Sequence, residues 1–297
     1  MDDRSEPISR RRRERRGSGL GKGLLALLVL AVLGMVWWRL AGPGRDLEVT
    51  PVAGHPSAGV SAAPSPEPAA GRSEPEPHYP LEPAADEAGR PPLASDAGAA
   101  LPQLIEQWLG REKSMRFVAM DEPARRIVAT IDNLPRAQAP SSLWPLVPVG
   151  GRMMVESTEA GLQVSPGNAA RYQDLVGFVT GIDPAAALAV YKRIYPVLQR
   201  NYEELGYPGR QFNDRLVAVI DHLLKTPDID KPLALKLVQV QGEIASQRPW
   251  LRYEYADPGL EALSAGQKIL LRMGRANAQR VKTMLRAIRM EIAPPRP

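Results

Sequence analysis

The first long apolar stretch of the chain lies near its N-terminus. Residues 23 to 38, GLLALLVLAVLGMVWW, contain no charged side chain. With their apolar neighbours they form a helix of about 33 Å, which is enough to cross a hydrocarbon core of about 30 Å. We therefore predict a transmembrane helix over residues 23–41, after a basic cytoplasmic tail of residues 1–22. Its membrane-spanning residues are Leu24, Leu25, Leu27, Leu28, Val29, Leu30, Val32, Leu33, Val36, Trp37 and Trp38.

The charges that flank this helix predict its orientation. An arginine cluster precedes it, whereas Arg39 and Arg45 on its other side are offset by Asp46 and Glu48. Positive charge remains on the cytoplasmic side of a membrane, so the chain after the helix is expected to lie across the membrane. A cleaved signal peptide is the alternative, but the basic region is long and no A-x-A cleavage site follows. We therefore expect an uncleaved anchor.

A segment without large apolar residues follows, over residues 42–96. It is rich in Pro, Ala, Gly, Ser and Glu, as in PSPEP and EPEPHYP. Such a composition cannot bury enough apolar surface to offset the loss of chain entropy. We predict a disordered, Pro/Ala-rich linker with a bias toward extended polyproline II.

Apolar periodicity returns over residues 97–293 and predicts a single globular domain. Asp96 or Ser95 can cap a first helix that ends at Gly110, and Pro123 divides residues 112–134 into two helices. A helix opened by Pro166 and Asn168 precedes a longer one that starts at Asp183-Pro184 and ends at Gly206. Beyond Asp257-Pro258, a short helix and two longer ones separated by Gly274 complete the chain.

Three other stretches predict strands. Residues 152–165 have the pattern of a short hairpin, and PLALKLVQVQGEI and RPWLRYEYADP show partial alternation of apolar and polar positions. The fold class that follows is α+β and mostly helical, with a small sheet or hairpins.

The stretch FNDRLVAVIDHLL, residues 212–224, combines an apolar pattern with several polar residues. At 100° per residue, Phe212, Leu216, Val219, Ile220 and Leu223 share one face, flanked by Val217 and Leu224. Asp214, Ala218, Asp221 and Lys225 lie opposite, and Arg215 and His222 share an edge. Asn213 is the predicted N-cap. Because neighbouring Asp221 and His222 point about 100° apart, we interpret the stretch as an amphipathic structural helix rather than an active site.

Composition narrows the possible chemistry. The chain of 297 residues has no Cys and three His, so thiol catalysis, disulfides and multi-histidine metal sites are not expected. No Gly-rich phosphate loop or G-x-S-x-G motif occurs. We therefore predict no cofactor, no metal site and no catalytic residue, and we leave open whether the protein is an enzyme.

The net charge of +5 points to a different kind of site. No acidic residue occurs between Ala262 and Met290, although this stretch carries seven basic ones. Exposed helix faces commonly carry such charges without binding anything. If they form a binding surface, its candidate residues are Arg272, Arg275, Arg280, Lys282 and Arg286, and its partner is an anionic envelope component or an envelope protein, with no nucleic acid expected.

Two alternatives remain open at this point. An enzyme acting on a cell-envelope polymer would require a pair of carboxylates with separated pKa values. The candidate acids are Glu203, Glu204, Asp214, Asp221, Asp257 and Glu261, and no spacing singles out a pair. An assembly factor could instead bind through aromatic surface at Trp250, Tyr253 and Tyr255, although alternating strand residues can bury the same side chains.

Several separated motifs resemble a known family. VATIDNL, RYQDLV, ELGYPGRQFNDRL, VIDHLLKTP and YADPGLEALSAGQKILLRMG are similar, in this order, to the bacterial family of domain of unknown function 3014. The resemblance covers about residues 100–292, and Arg275-Ala276 and Tyr255 depart from the expected pattern. It implies a single-pass protein of the cytoplasmic membrane with a periplasmic domain, but no activity. We therefore expect a membrane-tethered binding or adaptor module.

Overall fold

The computed structural model describes residues 78–86, 89–238 and 253–293. The predicted cytoplasmic tail, the transmembrane helix, most of the predicted linker and Trp250 lie outside these residues. Among the described residues, no single helix is long and apolar enough to cross a membrane. One pair, Pro166–Thr180 and Pro184–Glu204, has the length and composition to do so together, but it is bent by 74°.

The described chain is mostly helical, as predicted from its periodicity. Short 3-10 helices cover Ala97–Ala100, Ser141–Leu143 and Pro166–Tyr172. The α-helices are α1 (Leu101–Leu109), α2 (Arg111–Phe117), α3 (Pro123–Asn133), α4 (Gln173–Thr180), α5 (Pro184–Glu204), α6 (Phe212–Leu224), α7 (Pro258–Glu261), α8 (Ala265–Arg272) and α9 (Arg275–Ile292).

Local signals start and stop these helices. The Asp183 carboxylate accepts a hydrogen bond from the backbone of Ala185 at the start of α5, and Asp257 caps α7 in the same way. Ser264 forms a capping box with Gln267 at the start of α8. Gly110 and Gly274 have positive φ at the junctions where one helix ends and the next begins, a conformation that favours glycine. These helix ends agree with the prediction because each cap or glycine acts on backbone groups only a few residues away in the chain.

A small antiparallel sheet completes the fold. It contains β1 (Val155–Thr158), β2 (Gly161–Val164), β3 (Ala234–Leu237) and β4 (Tyr253–Tyr255), in the order β1-β2-β3-β4. Val155 pairs with Val164 in the hairpin, and Leu235 pairs with both Leu162 and Tyr255. Leu235 and Tyr255 form a small core with Leu260 and Leu271, separate from the main core. The sheet therefore covers α7 and α8 at one side of the helical domain.

The main core lies among the helices. Helix α9 packs against α4, α5 and α6, while α3 packs against α5 and α6. All five residues of the predicted apolar face of α6 are buried, from Phe212 to Leu223. Helices α6 and α9 are antiparallel, because Asn213 contacts Ile292 whereas Thr226, just beyond the end of α6, contacts Lys282. The α6–α9 pair therefore has two ends, one at Asn213 and Ile292 and the other at Thr226 and Lys282.

The polar residues of α6 differ from the prediction in their partners. Gln211, not Asn213, occupies the N-cap position, and Asn213 is completely buried. Its side chain accepts a hydrogen bond from the Tyr191 hydroxyl and donates to the carbonyl oxygens of Tyr79 and Ile292. Burial in the core requires such partners, and they come from distant segments that α6 by itself does not reveal.

The rest of the polar face of α6 also bonds to other elements. Asp221 pairs with Arg289 at 3.1 Å, and His222 Nε2 lies 2.9 Å from the Ser264 hydroxyl. Arg215 Nη2 lies 3.0 Å from an Asp132 carboxylate oxygen. These side chains join α6 to its neighbours, which agrees with a structural rather than a catalytic role.

The predicted boundary between linker and domain at residue 97 differs from the structure. Residues 78–86 and 89–96, here called the N-terminal strap, pack on the domain. The backbone N–H groups of His78 and Tyr79 donate to the Asp214 carboxylate at 3.1 and 2.7 Å. Further along, the buried side chains of Asp86 and Arg193 form an ion pair at 3.4 Å.

The strap also contributes apolar contacts. Tyr79, Leu81 and Leu93 pack against the main core, and the Leu93 N–H donates to the Arg193 carbonyl. Composition did not reveal this segment, because its attachment depends on backbone hydrogen bonds and a few well-placed side chains. The predicted linker therefore extends too far, and the packed chain includes the strap.

Candidate functional site

A groove opens where the sheet meets the two C-terminal helices. It has a volume of about 260 Å³. Three segments line it: the end of β2 with the following turn, the loop after α6, and the junction of α8 and α9. The lining residues are Val164, Ser165, Pro166, Asn168, Ala169, Pro227, Asp228, Ile229, Asp230, Lys231, Pro232, Leu233, Leu270, Leu271, Arg272, Gly274, Arg275 and Ala278.

The wall of the groove depends on a close approach at Gly274. A Cβ atom there would lie 2.9 Å from the Cβ of Ala169, and Gly274 has a φ of 81°. Two asparagines hold the approach: Asn168 donates to the Arg272 carbonyl and Asn277 donates to the Ala169 carbonyl, each at 2.9 Å. Glycine is required here for both space and conformation, so the α8–α9 junction is rigidly placed beside the groove.

Two of the five predicted binding residues are buried. Arg272 is 3% exposed and lines the groove, with its guanidinium carbon 5.6 Å from the ring centre of Tyr255. Lys282 is also 3% exposed and donates to the Thr226 carbonyl at 2.6 Å and to Asp228 at 2.8 Å. Neither side chain belongs to an exposed basic face. The expected surface is wrong at these two positions, because their helix faces pack against the sheet and the loop after α6.

The other three predicted residues are exposed on α9. Arg275 lines the groove and pairs with Asp230. Arg280 donates to the Thr180 hydroxyl at 2.9 Å, at the end of α4. Arg286 is exposed. Of the predicted set, Arg272 and Arg275 thus line the groove, Lys282 is buried inside the domain, and Arg280 and Arg286 are exposed outside the groove.

The groove carries more positive than negative charge. Its acids are Asp228 and Asp230, and its cations are Lys231, Arg272 and Arg275. The hydrogen bond from Lys282 lowers the pKa of Asp228, and the nearby charges of Arg275 and Arg286 act in the same direction. Asp228 is therefore ionised and paired with Lys282 at neutral pH, and Asp230 pairs with Arg275.

Two buried tyrosines surround Arg272 without adding negative charge. Burial raises the pKa of Tyr255 to about 12, and it also raises the pKa of Tyr172. Both phenols remain neutral at physiological pH. The Arg272 guanidinium therefore lies beside two neutral rings, one of which, Tyr255, it faces at 5.6 Å.

Sequence reasoning missed the acidic side of this groove. Asp228, Asp230 and Lys231 belong to the motif PDIDKP after α6, and Asn168 opens the turn after β2. The only signal was a polar cluster between two prolines, which is also the composition of an ordinary loop. Their meeting with α9 depends on tertiary packing.

The acids proposed for the enzyme alternative have other partners. Asp214 binds the strap, Asp221 pairs with Arg289, and Asp257 caps α7. Glu261 accepts from the Tyr255 N–H, Glu203 accepts from Gln199, and Glu204 pairs with Arg200. None of the six lines the groove. Within the described ranges, no group of three or more acidic or histidine side chains could hold a metal ion.

One of the three aromatic residues proposed for an assembly surface, Tyr255, is buried. Tyr255 is 1% exposed and its hydroxyl lies 3.3 Å from the Lys268 carbonyl, so it belongs to the small core under the sheet. Tyr253 is half-buried on the same edge strand. An exposed aromatic surface built from both tyrosines is therefore excluded.

A family model matches residues 123–289, which is more than half of the chain. The chain belongs to the family described as Protein of unknown function (DUF3014). No curated protein matches it significantly, and no solved structure does.

The DUF3014 match covers most of the described domain. It includes the sheet, the groove and most of α9, and it begins after the strap and the first two helices. The groove is therefore a feature of the region that defines the family.

Proposed function

We propose that this DUF3014 protein is a membrane-tethered binding or adaptor module of the bacterial cell envelope. An uncleaved N-terminal helix would hold it in the cytoplasmic membrane, with its domain in the periplasm. The groove and the adjacent exposed arginines of α9 would bind an anionic group of an envelope component or an envelope protein.

The observation that carries this proposal is the charge of the groove. Asp230 is paired with Arg275 and Asp228 with Lys282, and the exposed Lys231 adds a further cation to the lining. Arg275, Arg280 and Arg286 add exposed positive charge on α9, with Arg275 and Arg286 on the same side of the helix. An excess of positive charge in and around a cleft attracts ligands of the opposite sign.

The position of the strap also supports a tethered module. The chain enters the domain at the end of α6 that contacts Ile292, whereas the groove lies beyond the opposite end of α6. Helix α6 separates these two ends by about 20 Å. A tether attached through the strap would therefore leave the groove open to a partner.

A binding experiment tests the groove directly. A fragment that begins at His78 keeps the strap and lacks the N-terminal arginine cluster, which would itself bind anionic lipid. We expect it to co-sediment with purified peptidoglycan or with phosphatidylglycerol vesicles at low salt. Exposed charges are screened over about 8 Å at physiological ionic strength, so retention should fall as salt rises.

The matched variants separate a site from general charge. Arg275→Glu combined with Arg286→Glu should abolish retention, whereas Arg125→Glu on the exposed side of α3 should have little effect. If neither material retains the fragment at low salt, the groove does not bind these anions. Equal losses in both variants would indicate non-specific attraction.

A separate experiment tests the tether. N-terminal sequencing of protein recovered from the membrane fraction should find a terminus that still includes the arginine cluster. A terminus beyond Ala41 would contradict the uncleaved anchor. The enzyme alternative, a carboxylate-dependent enzyme on an envelope polymer, gains no support from the described acids.

A further inference from the structure

The sheet has two edges, and the edge at β4 is closed by a side chain. The Ala256 N–H, at the end of β4, points inward and donates to the Ala234 carbonyl of β3. Because successive residues of a strand bond to opposite sides, the Tyr255 N–H points outward. It donates to the Glu261 carboxylate of α7 at 2.9 Å. A further strand could pair with this edge only by displacing Glu261.

The other edge, at β1, carries outward-facing backbone groups. The Met154 carbonyl accepts from the Ser165 N–H at 2.9 Å, so these two residues form a hydrogen-bonded pair. The next residue, Val155, is in register with Val164, whose N–H points away from β1 toward β3. The N–H and C=O groups of Val155, and of Ser157 two residues later, therefore face outward. In the part of the chain that the structure describes, β1 pairs with β2 alone.

The side chains of β1 alternate between an apolar and a polar face of the sheet. Val155 and the preceding Met153 pack against the small core under the sheet. On the other face, Glu156 accepts from Gln163 at 2.6 Å, and Met154 is 46% exposed. The apolar row of the sheet thus ends at half-buried Val155, where a further strand would extend it.

A second copy of this chain can pair with this edge in a register that its own residues favour. Three antiparallel registers have their two-fold axis within residues 155–157. An axis at Glu156 sets two glutamates directly opposite each other, which is unfavourable. An axis at Ser157 sets apolar Val155 opposite Glu159 of the turn. An axis at Val155 sets the two valines opposite each other and joins the apolar rows of the two sheets.

The register with its axis at Val155 also brings opposite charges together. It sets the exposed Arg152 of one copy opposite Thr158 of the other and diagonal to its Glu156. Diagonal neighbours on adjacent strands are about 7–8 Å apart, which a long side chain spans. The two-fold axis repeats this contact, so each copy supplies one arginine and one glutamate.

We infer that β1 pairs antiparallel with β1 of a second copy of this chain, about a two-fold axis at Val155. The two valines exchange backbone hydrogen bonds across the axis, and Ser157 of each copy does so with Met153 of the other. The two sheets become one continuous sheet. This surface is independent of the groove and of the function proposed for it.

Disulfide cross-linking tests the register directly, because the chain contains no cysteine. The full-length chain in detergent, with either Val155→Cys or Ser157→Cys, is oxidised at several protein concentrations, and linked dimer is measured on non-reducing gels. On the axis, facing Cα atoms lie about 5.5 Å apart, which a disulfide spans. The two copies of position 157 lie about 14 Å apart, which is too far.

We therefore expect linked dimer from Val155→Cys and little from Ser157→Cys. Ser157 is the more exposed of the two positions. Random collision between molecules would consequently give the opposite order, so the comparison separates a specific pair from collision.

Two changes at Ser157 assign the dimer to the edge. In the Val155→Cys chain, Ser157→Pro removes an outward N–H without removing a bond between β1 and β2, whereas Ser157→Ala keeps that N–H. Ser157→Pro should slow cross-linking roughly tenfold, because the symmetric dimer loses two hydrogen bonds. Ser157→Ala should have little effect. Thermal melting checks that both variants fold.

Charge reversal provides a test that does not depend on the proline variant. Also in the Val155→Cys chain, Arg152→Glu should slow cross-linking, because it sets a glutamate beside Glu156 of the other copy. The addition of Glu156→Lys should restore cross-linking, since the two charges then exchange places across the axis.

Three results would overturn the inference. One is cross-linking of Ser157→Cys that equals or exceeds that of Val155→Cys, and another is no linked dimer from either. The third is cross-linking of Val155→Cys that neither a folded Ser157→Pro variant nor Arg152→Glu slows.

Discussion

The two ends of the α6–α9 pair both concentrate polar residues, yet they use them differently. At the strap end, Asn213 is completely buried and bonds to Tyr191, Tyr79 and Ile292. At the groove end, Arg275 and Asp230 form an exposed ion pair beside an open cavity. Similar residue types therefore hold the fold together at one end and remain accessible at the other.

This difference separates polar side chains that stabilise the fold from polar side chains that can bind a partner. A buried polar group must be satisfied inside the protein, and its removal leaves partners without hydrogen bonds. An exposed pair contributes about 0–1 kcal/mol to stability and remains free to exchange partners. Mutation of Asn213 at the strap end should therefore change stability, and mutation of Arg275 at the groove end should change binding.

The largest expected effect concerns the apolar face that joins the two ends. Leu223→Ala removes a completely buried side chain and should lower the free energy of unfolding by about 2–5 kcal/mol. Asp221→Asn, two residues away on the polar face, is the control and should leave stability nearly unchanged. Urea denaturation followed by circular dichroism measures both. Loss of cellular function by Asp221→Asn in a protein that folds and localises would restore an active-site reading of α6.

Removal of the strap should have the next largest effect. A fragment that begins at residue 97 loses Tyr79, Leu81 and Leu93 from the core surface, together with the Asp86–Arg193 pair. Since a fully buried apolar side chain contributes about 1.5–3 kcal/mol, we expect a loss of roughly 3 kcal/mol or more. Urea midpoints of fragments that begin at residues 78 and 97 make the comparison. Equal midpoints would mean that the strap is not part of the stable domain.

A smaller effect should distinguish the two ends most directly. Asn213→Ala leaves the Tyr79 and Ile292 carbonyls and the Tyr191 hydroxyl without this partner, which should cost about 2 kcal/mol or more. Arg275→Ala removes only an exposed pair and should cost less than about 1 kcal/mol. The same denaturation assay tests both variants. Similar losses in both would remove the proposed distinction between the two ends.

The smallest effect depends on pH. Burial lowers the pKa of His222 from 6.5, so the unfolded chain binds a proton more readily than the folded one. Stability from neutral His222 is present above about pH 6.5 and is lost as the pH falls below it. The thermal midpoint should therefore drop between pH 7.5 and pH 5.5, and less so in His222→Gln. A drop of equal size in both proteins would assign the pH dependence to other groups.

The elements of this domain were predictable because their signals are local. Asp183-Pro184, Asp257-Pro258 and the glycines at residues 110 and 274 act on hydrogen bonds and backbone angles within a few residues. The apolar face of α6 follows from helical periodicity in the same way. The prediction of a mostly helical domain with a small sheet or hairpins is confirmed for the described residues, where the sheet is antiparallel and four-stranded.

The site was less predictable because exposure is not a local property. Arg272 and Lys282 occur in the same basic run as Arg275 and Arg286, and nothing in that run distinguishes them. The sheet and the loop after α6 cover the first two and leave the others exposed. The acids of the groove lie about fifty residues earlier in the chain, where they resemble an ordinary loop.

Caps and periodicity in the sequence predict most of the helices, the approximate positions of the strands, many of the residues that face the core, and the family motifs. Tertiary packing places residues before position 97 on the domain, makes Asn213 a buried junction rather than a cap, and buries two of the basic residues. Caps and periodicity act between neighbours in the chain. Burial, pairing and clefts arise between segments such as Tyr79, Asn213 and Ile292, which folding brings together from distant positions.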